Sequence, residues 1–343
     1  MKWAVNFKLM SQAKFSIILP VKNGGEYVKE CVKSILSQTI IAFNLIVLDN
    51  CSDDGTTEWI GALKDNRIIL IPSALPLSIE ENWGRIKDIP KNEFITLIGH
   101  DDILSDQYLQ TMNSLIAEYP DASLYQTHFN YINENGSVIR KCKTMPLIED
   151  SASFLKNFLQ NSVDIMGTGF MMRSKDYDAL GGIPTHYPQL LFADMELWLT
   201  LTGLSYKVTS AQVCFFYRLH QSTTKKSPDE KLLSSFLKMI YFMNKLKNED
   251  NTLGEVIKKN GIGFIHHNCV SLSHRVLRTF PESRGKISVN IIIRQCKDCA
   301  DLLIPGNNYK PTRIGKLIIA RFIDSSRLLQ KLFLWIKNNF QIS

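Results

Sequence analysis

Short apolar runs separated by polar turns dominate the first hundred positions. "FSIILPV" (15–21), "NLIVLD" (44–49), "RIILIP" (67–72) and "EFITLI" (93–98) are nearly continuous apolar stretches bounded by Gly, Pro, Asn or Asp. That pattern predicts strands buried on both faces, the first ended by Pro20 and the "NGG" turn. Between them the period lengthens. "EYVKECVKSILSQ" (26–38) gathers Val28, Cys31, Val32, Ile35 and Leu36 on one side at helical spacing. "TTEWIGALK" and "SIEENWGRIKD" read as the next two helices. Strand and helix alternate four times, which predicts a mostly parallel sheet with right-handed crossovers.

After about residue 105 the alternation loosens. "QYLQTMNSLIAEYP" predicts a helix, "SLYQTHFNYI" a strand, and "NENG" a hairpin turn into "SVIRK". "IMGTGFMMRS" predicts a strand whose glycines let something approach the backbone closely. "ADMELWLTLTG" predicts an amphipathic helix closed by Gly203, and "QVCFFYRLH" a last strand. From about 227 the pattern is helical to the end. The expected organisation is an α/β domain over 1–224 and a helical region over 225–343.

In sheets of this kind a ligand sits beyond the carboxyl ends of the strands. Three polar stretches fall there: "KNGG" (22–25), "DNCSDDGT" (49–56) and "GHDD" (99–102). Asp101 and Asp102 repel each other, so they need a cation or full solvation. Capping of the next helix by an aspartate or by Ser105 accounts for one acid only. A hard divalent cation held by one carboxylate and by diphosphate oxygens accounts for the site better. Asp49 is either a turn residue or an acceptor for a base or ribose. Asp53 and Asp54 suit the turn and the next helix start. Asp194 and Glu196 fit a helix N-terminus or a general base. His220 fits a core histidine or a metal ligand.

The bulk numbers narrow the classes. With 343 residues, 45% hydrophobic and 21% charged, the composition is globular, and the formal charge of +7 depends for its meaning on where it sits. Seven scattered cysteines predict reduced thiols in a cytosolic protein. Cys296 and Cys299 form a lone CxxC without a second tight pair, so two faces of one helix is preferred to a zinc site. "MKWAVNFKLMSQAK" lacks the apolar core of a signal peptide, and no window is apolar enough to span a bilayer. The last segment, 312–340, sets Arg313, Lys316, Arg321, Arg327, Lys331 and Lys337 against Asp324, with an apolar side along one helix. It predicts packing on the main domain or contact with an anionic membrane surface. No nucleic-acid motif is present.

In their order, "SIILPVKNGGEYVKECVKSILSQT", "LIVLDNCSDDGTTEWI", "ENWGRIKDIPKNEFITLIGHDDILS", "GTGFMMRSKDYDALGGIP", "FADMELWLTL" and "YRLHQST" resemble a family 2 inverting glycosyltransferase of the GT-A fold. The resemblance covers about residues 14–224 and implies the following roles. Pro20 and Lys22 line the base pocket, Asp49 contacts the base, and Arg85 approaches the donor phosphates. Asp101 holds Mn or Mg on the diphosphate, completed by His220. Asp102 lies near the donor or acceptor sugar, and Asp194 is the catalytic base. Two positions depart from the family: Gly99 stands where the first acid of DxD is expected, and Ala193 where the acid before the base is expected. The implied activity is metal-dependent transfer from a UDP-, GDP- or dTDP-linked sugar to a glycan or lipid-linked acceptor of a bacterial surface polysaccharide. The implied location is the cytoplasm or the inner membrane face. A nucleotidyltransferase would need a longer, more basic loop than "VKNGGEYV", and a dehydrogenase would need GxGxxG. A non-catalytic scaffold is the remaining alternative.

Overall fold

The four apolar runs form β1 (Phe15–Val21), β2 (Phe43–Asp49), β3 (Ile68–Pro72) and β4 (Phe94–Leu97). This computed structural model describes residues 13–219, 229–279 and 286–340, so His220 lies outside the described residues. Every residue of β1, β2 and β4 is buried, which explains why these strands do not alternate. They pair in parallel in the order β3-β2-β1-β4, with Phe15 opposite both Phe43 and Phe94. The crossovers are α1 (Gly25–Leu36), α2 (Thr56–Ala62) and α3 (Ile79–Gly84). α1 buries Val28, Cys31, Val32 and Ile35. Ser78 and Glu81 form a reciprocal capping box at the start of α3.

Pro20 does not end β1, which runs on to Val21. The carbonyl of Ile18 accepts from Ile98 on the β4 side, and that of Val21 accepts from Asn50 on the β2 side. Pro20, in phase with Ile18, therefore turns its donor-less nitrogen toward the β4 side. There the ladder has already stopped at Ile18, so no bond is lost.

The sheet continues with β5 (Ile103–Leu104), β6 (Leu124–Ile132), β7 (Val138–Lys141), β8 (Ile148–Glu149), β9 (Met171–Arg173) and β10 (Lys207–Arg218). Helices α4 (Tyr108–Glu118), α5 (Ser151–Leu159), α6 (Ser174–Ala179) and α7 (Ala193–Leu204) are interleaved. β9 runs antiparallel between β4 and β6, and β10 runs parallel to β6. The carboxyl ends of β1, β2, β4, β6 and β10 thus share one edge, where β9 begins.

Three local expectations are corrected. The helix expected from 107 is present as α4 from Tyr108, but the segment between it and Asp102 forms the short strand β5, so an aspartate at 101 or 102 has no helix start to cap. Only Met171–Arg173 of "IMGTGFMMRS" is strand. α7 runs through Gly203 and is buried on nearly all sides, including Ala193, Met195, Leu197, Trp198, Leu199 and Leu201. It is a core helix, not an amphipathic one.

A second unit comprises 155–162, 187–192 and the described residues from 229 onward. Its helices are α8 (Asp229–Glu249), α9 (Asn251–Arg278), α10 (Val289–Leu303), α11 (Gly315–Asp324) and α12 (Arg327–Phe340). Cys296 and Cys299 do not face opposite ways. Three residues apart, they fall on one side of α10, and both are buried, as is Cys269 of α9. The basic segment expected as one helix breaks after Asp324 into α11 and α12. Among the described residues no helix is long and apolar enough to cross a membrane.

Gly169 shows how tightly the edge is packed. Its φ is +79°, and a Cβ there would lie 2.8 Å from the Phe215 ring. Gly169→Ala is expected to lower the unfolding free energy by about 2 kcal/mol. Urea denaturation reads this directly, and an unchanged midpoint would contradict the packing described.

Candidate active site

Asp49 is the last residue of β2 and is 2% exposed. Its Oδ2 accepts from the Ser52 N–H at 3.2 Å. Its Oδ1 is buried without a hydrogen-bond partner. A buried carboxylate oxygen in that state is costly, so the position suits a ligand N–H. The loops after β1 and β2 are tied together beside it: Asn23 N–H donates to Ser52 Oγ at 2.9 Å, and Gly25 N–H donates to Asp54 Oδ2 at 2.9 Å. Lys22 is exposed in this loop and Pro20 is buried in β1. Arg85 lies across the strand ends, donating to the carbonyls of Asp49 (3.2 Å) and Ile71 (2.8 Å) and to Asn82 Oδ1 (2.9 Å). Burial lowers the pKa of its guanidinium, while Asp49 and Cys51 oppose that shift.

The adjacent acids occupy different environments. Asp101 is partly exposed, whereas Asp102 is 2% exposed. Asp102 caps no helix: its Oδ1 accepts from the Arg218 N–H at 3.1 Å and its Oδ2 from the Thr168 hydroxyl at 3.0 Å. Burial pushes its carboxyl well above the usual range and Asp101 adds to this, while the two hydrogen bonds and the Arg218 charge pull it back. A Cβ on Gly99 would fall 2.8 Å from Asp101 Oδ1 and 3.1 Å from Asp102 Oδ2. A side chain at 99 would therefore require the Asp101 carboxylate to shift, so the missing first acid of DxD and the present position of the second are linked.

Arg218 holds this loop. Its side chain is fully buried at the end of β10. Nε donates to the Asp101 carbonyl at 2.8 Å, and one terminal nitrogen donates to the carbonyls of Asn133 (3.2 Å) and Glu134 (2.8 Å). The other terminal nitrogen bonds Glu30 on α1, and the guanidinium lies over the Tyr27 ring at 4.6 Å. Four segments are thereby fixed around two acids. Sequence reading did not single out Arg218 or Thr168. A cation closing the apolar strand "QVCFFYR" was the available signal.

Asp194 stands in the first turn of α7 and is partly buried. Burial raises its pKa to about 6, against the pull of the backbone N–H groups of Met195 and Asp194 itself. Trp198 Nε1 donates to the Met166 carbonyl at 3.0 Å, and its ring stacks on Phe170 at 4.5 Å, fixing α7 on the 166–170 segment. A Cβ on Gly167 would lie 3.2 Å from Asp194 Oδ2. The close approach predicted for these glycines is thus made by Asp194 at Gly167 and by Phe215 at Gly169. Consecutive residues, Gly167 and Thr168, therefore touch Asp194 and Asp102. The Tyr217 phenol is pushed up by burial and then by Asp102, Asp101, Tyr131 and Asp194. Ala193 is 0% exposed, so the place of the second missing acid is filled within the core.

The structure therefore brings Asp101, Asp102 and Asp194 together, and puts Asp49, Pro20, Lys22 and Arg85 at the neighbouring strand ends of the same edge. Among the described residues no group of three His, Cys, Asp or Glu side chains could hold a metal ion by itself. Asp101 fits a divalent cation as one ligand, at a paired-carboxylate edge that leaves other positions to oxygens from outside the protein. Arg218→Met should destabilise the protein by about 3 kcal/mol or more, because three carbonyls lose a buried donor. Glu30→Gln, at a half-exposed partner, should cost under about 1 kcal/mol. Chemical denaturation of both variants tests this ranking, and equal losses would contradict it.

Residues 16–181 match the family model described as "Glycosyl transferase family 2". Glycosyltransferase GlyG of Streptococcus pneumoniae is 27% identical over 124 residues, covering 36% of this chain and 41% of GlyG. The UDP-Glc:alpha-D-GlcNAc-diphosphoundecaprenol beta-1,3-glucosyltransferase WfaP of Escherichia coli is 25% identical over 231 residues, covering 66% of this chain and 86% of WfaP. The chain spans less than half the length of the first curated relatives it matches. The S. aureus TarS 1-349 structure in complex with UDP-GlcNAc superposes with a TM-score of 0.56 at 16% identity, over 93% of this chain and 91% of that one. At that identity the likeness is one of fold.

Proposed function

We propose that this chain, whose residues 16–181 match the family 2 glycosyltransferases, moves a sugar, with inversion and with a divalent cation, from a nucleotide-sugar to a hydroxyl of a glycan or lipid-linked acceptor. The observation that carries this reading is the gathering of Asp101, Asp102 and Asp194 around Thr168 and Gly167 at one sheet edge. In this reading Asp49 Oδ1 accepts a hydrogen bond from the donor's base, and Pro20 and Lys22 border that base. Arg85 holds the ends of β2 and β3 under the donor's phosphates. Asp101, with His220, would hold Mn or Mg. A divalent cation there supplies neutralisation of the charge on the departing nucleoside diphosphate. Asp102, clamped from below, keeps Asp101 in place and lies beside the sugar.

Asp194 accepts the proton of the acceptor hydroxyl as its oxygen bonds to the anomeric carbon and the bond to the diphosphate breaks. A carboxyl with a pKa of about 6 is mostly ionised at neutral pH yet more basic than an ordinary aspartate, which suits a general base. A single displacement inverts the anomeric centre and needs no covalent enzyme intermediate.

For donor and acceptor the relatives offer support by analogy. TarS is described with UDP-GlcNAc, and WfaP with UDP-Glc and a diphosphoundecaprenol-linked acceptor. The exposed apolar side chains of α11 and α12, among them Phe322 and Trp335, support contact of 312–340 with an anionic membrane surface. In this reading the enzyme works in the cytoplasm against the inner face, in surface polysaccharide synthesis.

Asp194→Asn should lower transfer about 10²–10⁴-fold while keeping nucleotide binding, and Asp101→Ala should lose metal-dependent binding of nucleoside diphosphate. Radiolabelled transfer and calorimetry separate the two. Wild-type transfer by the asparagine variant would refute the base assignment. The wild-type rate should fall as pH drops through about 6, because protonated Asp194 cannot accept a proton. A profile flat from pH 5 to 8 would exclude it.

A further inference from the structure

The C-terminal unit contains a cavity of about 290 Å³ between α9, α11 and α12. Its size lies at the lower end of small-ligand sites. Four of its lining residues are basic: His274, Arg278, Lys316 and Lys337. All four line the same cavity, and burial and then the charges of Arg278, Lys316 and Lys337 lower the His274 pKa. None of the four has an acidic partner among the described residues, where the ion pairs of α9 involve Lys258 and Arg275 instead. Crowding like charges is unfavourable unless an anion joins them. The other walls are mostly aliphatic or aromatic, including Ile319, Ile323, Phe333 and Ile336.

Ile319 also links the cavity to the surface. It is 60% exposed, and its helix neighbours Ile318 and Phe322 are 48% and 64% exposed. α12 adds exposed Leu332 and Trp335. Such a concentration of large apolar side chains in two short helices marks a contact surface. Free phosphate would satisfy the cations and leave the apolar walls wet. A neutral lipid would fill the walls and leave the cations crowded. Only a ligand with both parts complements both features.

We propose that this cavity binds a phosphate-headed lipid, the head among His274, Arg278, Lys316 and Lys337 and the chain leaving past Ile319 over the exposed apolar faces. The inference builds on the lipid-facing reading of 312–340 and names the ligand's chemistry, but it uses no residue of the donor site. The head group could belong to a bilayer phospholipid or to an isoprenoid diphosphate, and the experiment below separates them.

The test is titration calorimetry of the full chain with farnesyl diphosphate as probe, with inorganic diphosphate and farnesol as controls and UDP binding measured on the same samples. The expected result is one farnesyl diphosphate per chain, bound at least tenfold tighter than either control and not displaced by UDP. Lys316→Glu/Lys337→Glu should weaken the probe at least tenfold and leave UDP binding unchanged. Arg278→Gln, at an exposed position, should weaken it severalfold and guards against misfolding of the double variant. Competition by phosphatidylglycerol vesicles identifies bilayer phospholipid as the source. Resistance to them, with the probe still bound, identifies an isoprenoid diphosphate. Equal probe binding by wild type and both variants, or displacement of the probe by UDP, would overturn the proposal. Loss of UDP binding alone would instead count against the donor site.

Discussion

The candidate site depends on one buried cation. Arg218 is sealed at the carboxyl end of β10, where it joins the Asp101 backbone, the turn after β6, Glu30 of α1 and, through its own N–H, the Asp102 carboxylate. Two adjacent aspartates at a sheet edge repel each other. This arrangement lets one of them, Asp102, be buried and fully hydrogen-bonded while Asp101 stays toward the surface. The cost of burying charge is offset because donors and acceptors are all matched within one network. Beside this network lie the partly exposed Asp101, the unpartnered Oδ1 of Asp49, and Asp194 on the next segment.

The same network explains the two departures from the family pattern. Gly99 is more than a lost acid, because a side chain at 99 would begin only 2.8 Å from the present Asp101 carboxylate, which would have to shift. Ala193 is not an exposed gap either, because it is packed in the core as the first residue of α7. A second acid there would be buried beside Asp194, whose pKa burial already raises. Both changes leave Asp194 and Asp101 at the sheet edge.

Much of this was legible in the sequence. The βα alternation, the placement of "KNGG", "DNCSDDGT" and "GHDD" at strand ends, and the pairing of glycines with a close approach at 167–169 follow from local patterning. The remainder depends on tertiary contacts that periodicity does not encode. Whether Asp102 caps a helix or is clamped by Thr168 and Arg218 is decided by residues far along the chain. α7 read as amphipathic because its first turn is acidic, yet both its faces are covered. Pro20 read as a strand end because the sequence does not reveal on which side the ladder has stopped. The C-terminal helices read as one because "DSS" is a weak break that packing of Leu317, Ala320, Gln330 and Leu334 makes real.

The central claim is that these acids line a single nucleotide-sugar site. A crystal structure of the chain soaked with UDP and Mn²⁺ tests it most directly. The account predicts the base donating to Asp49 Oδ1, the diphosphate and metal at Asp101, and the β-phosphate side of the nucleotide turned toward Asp194. UDP bound elsewhere, or with its diphosphate remote from Asp101, would contradict it.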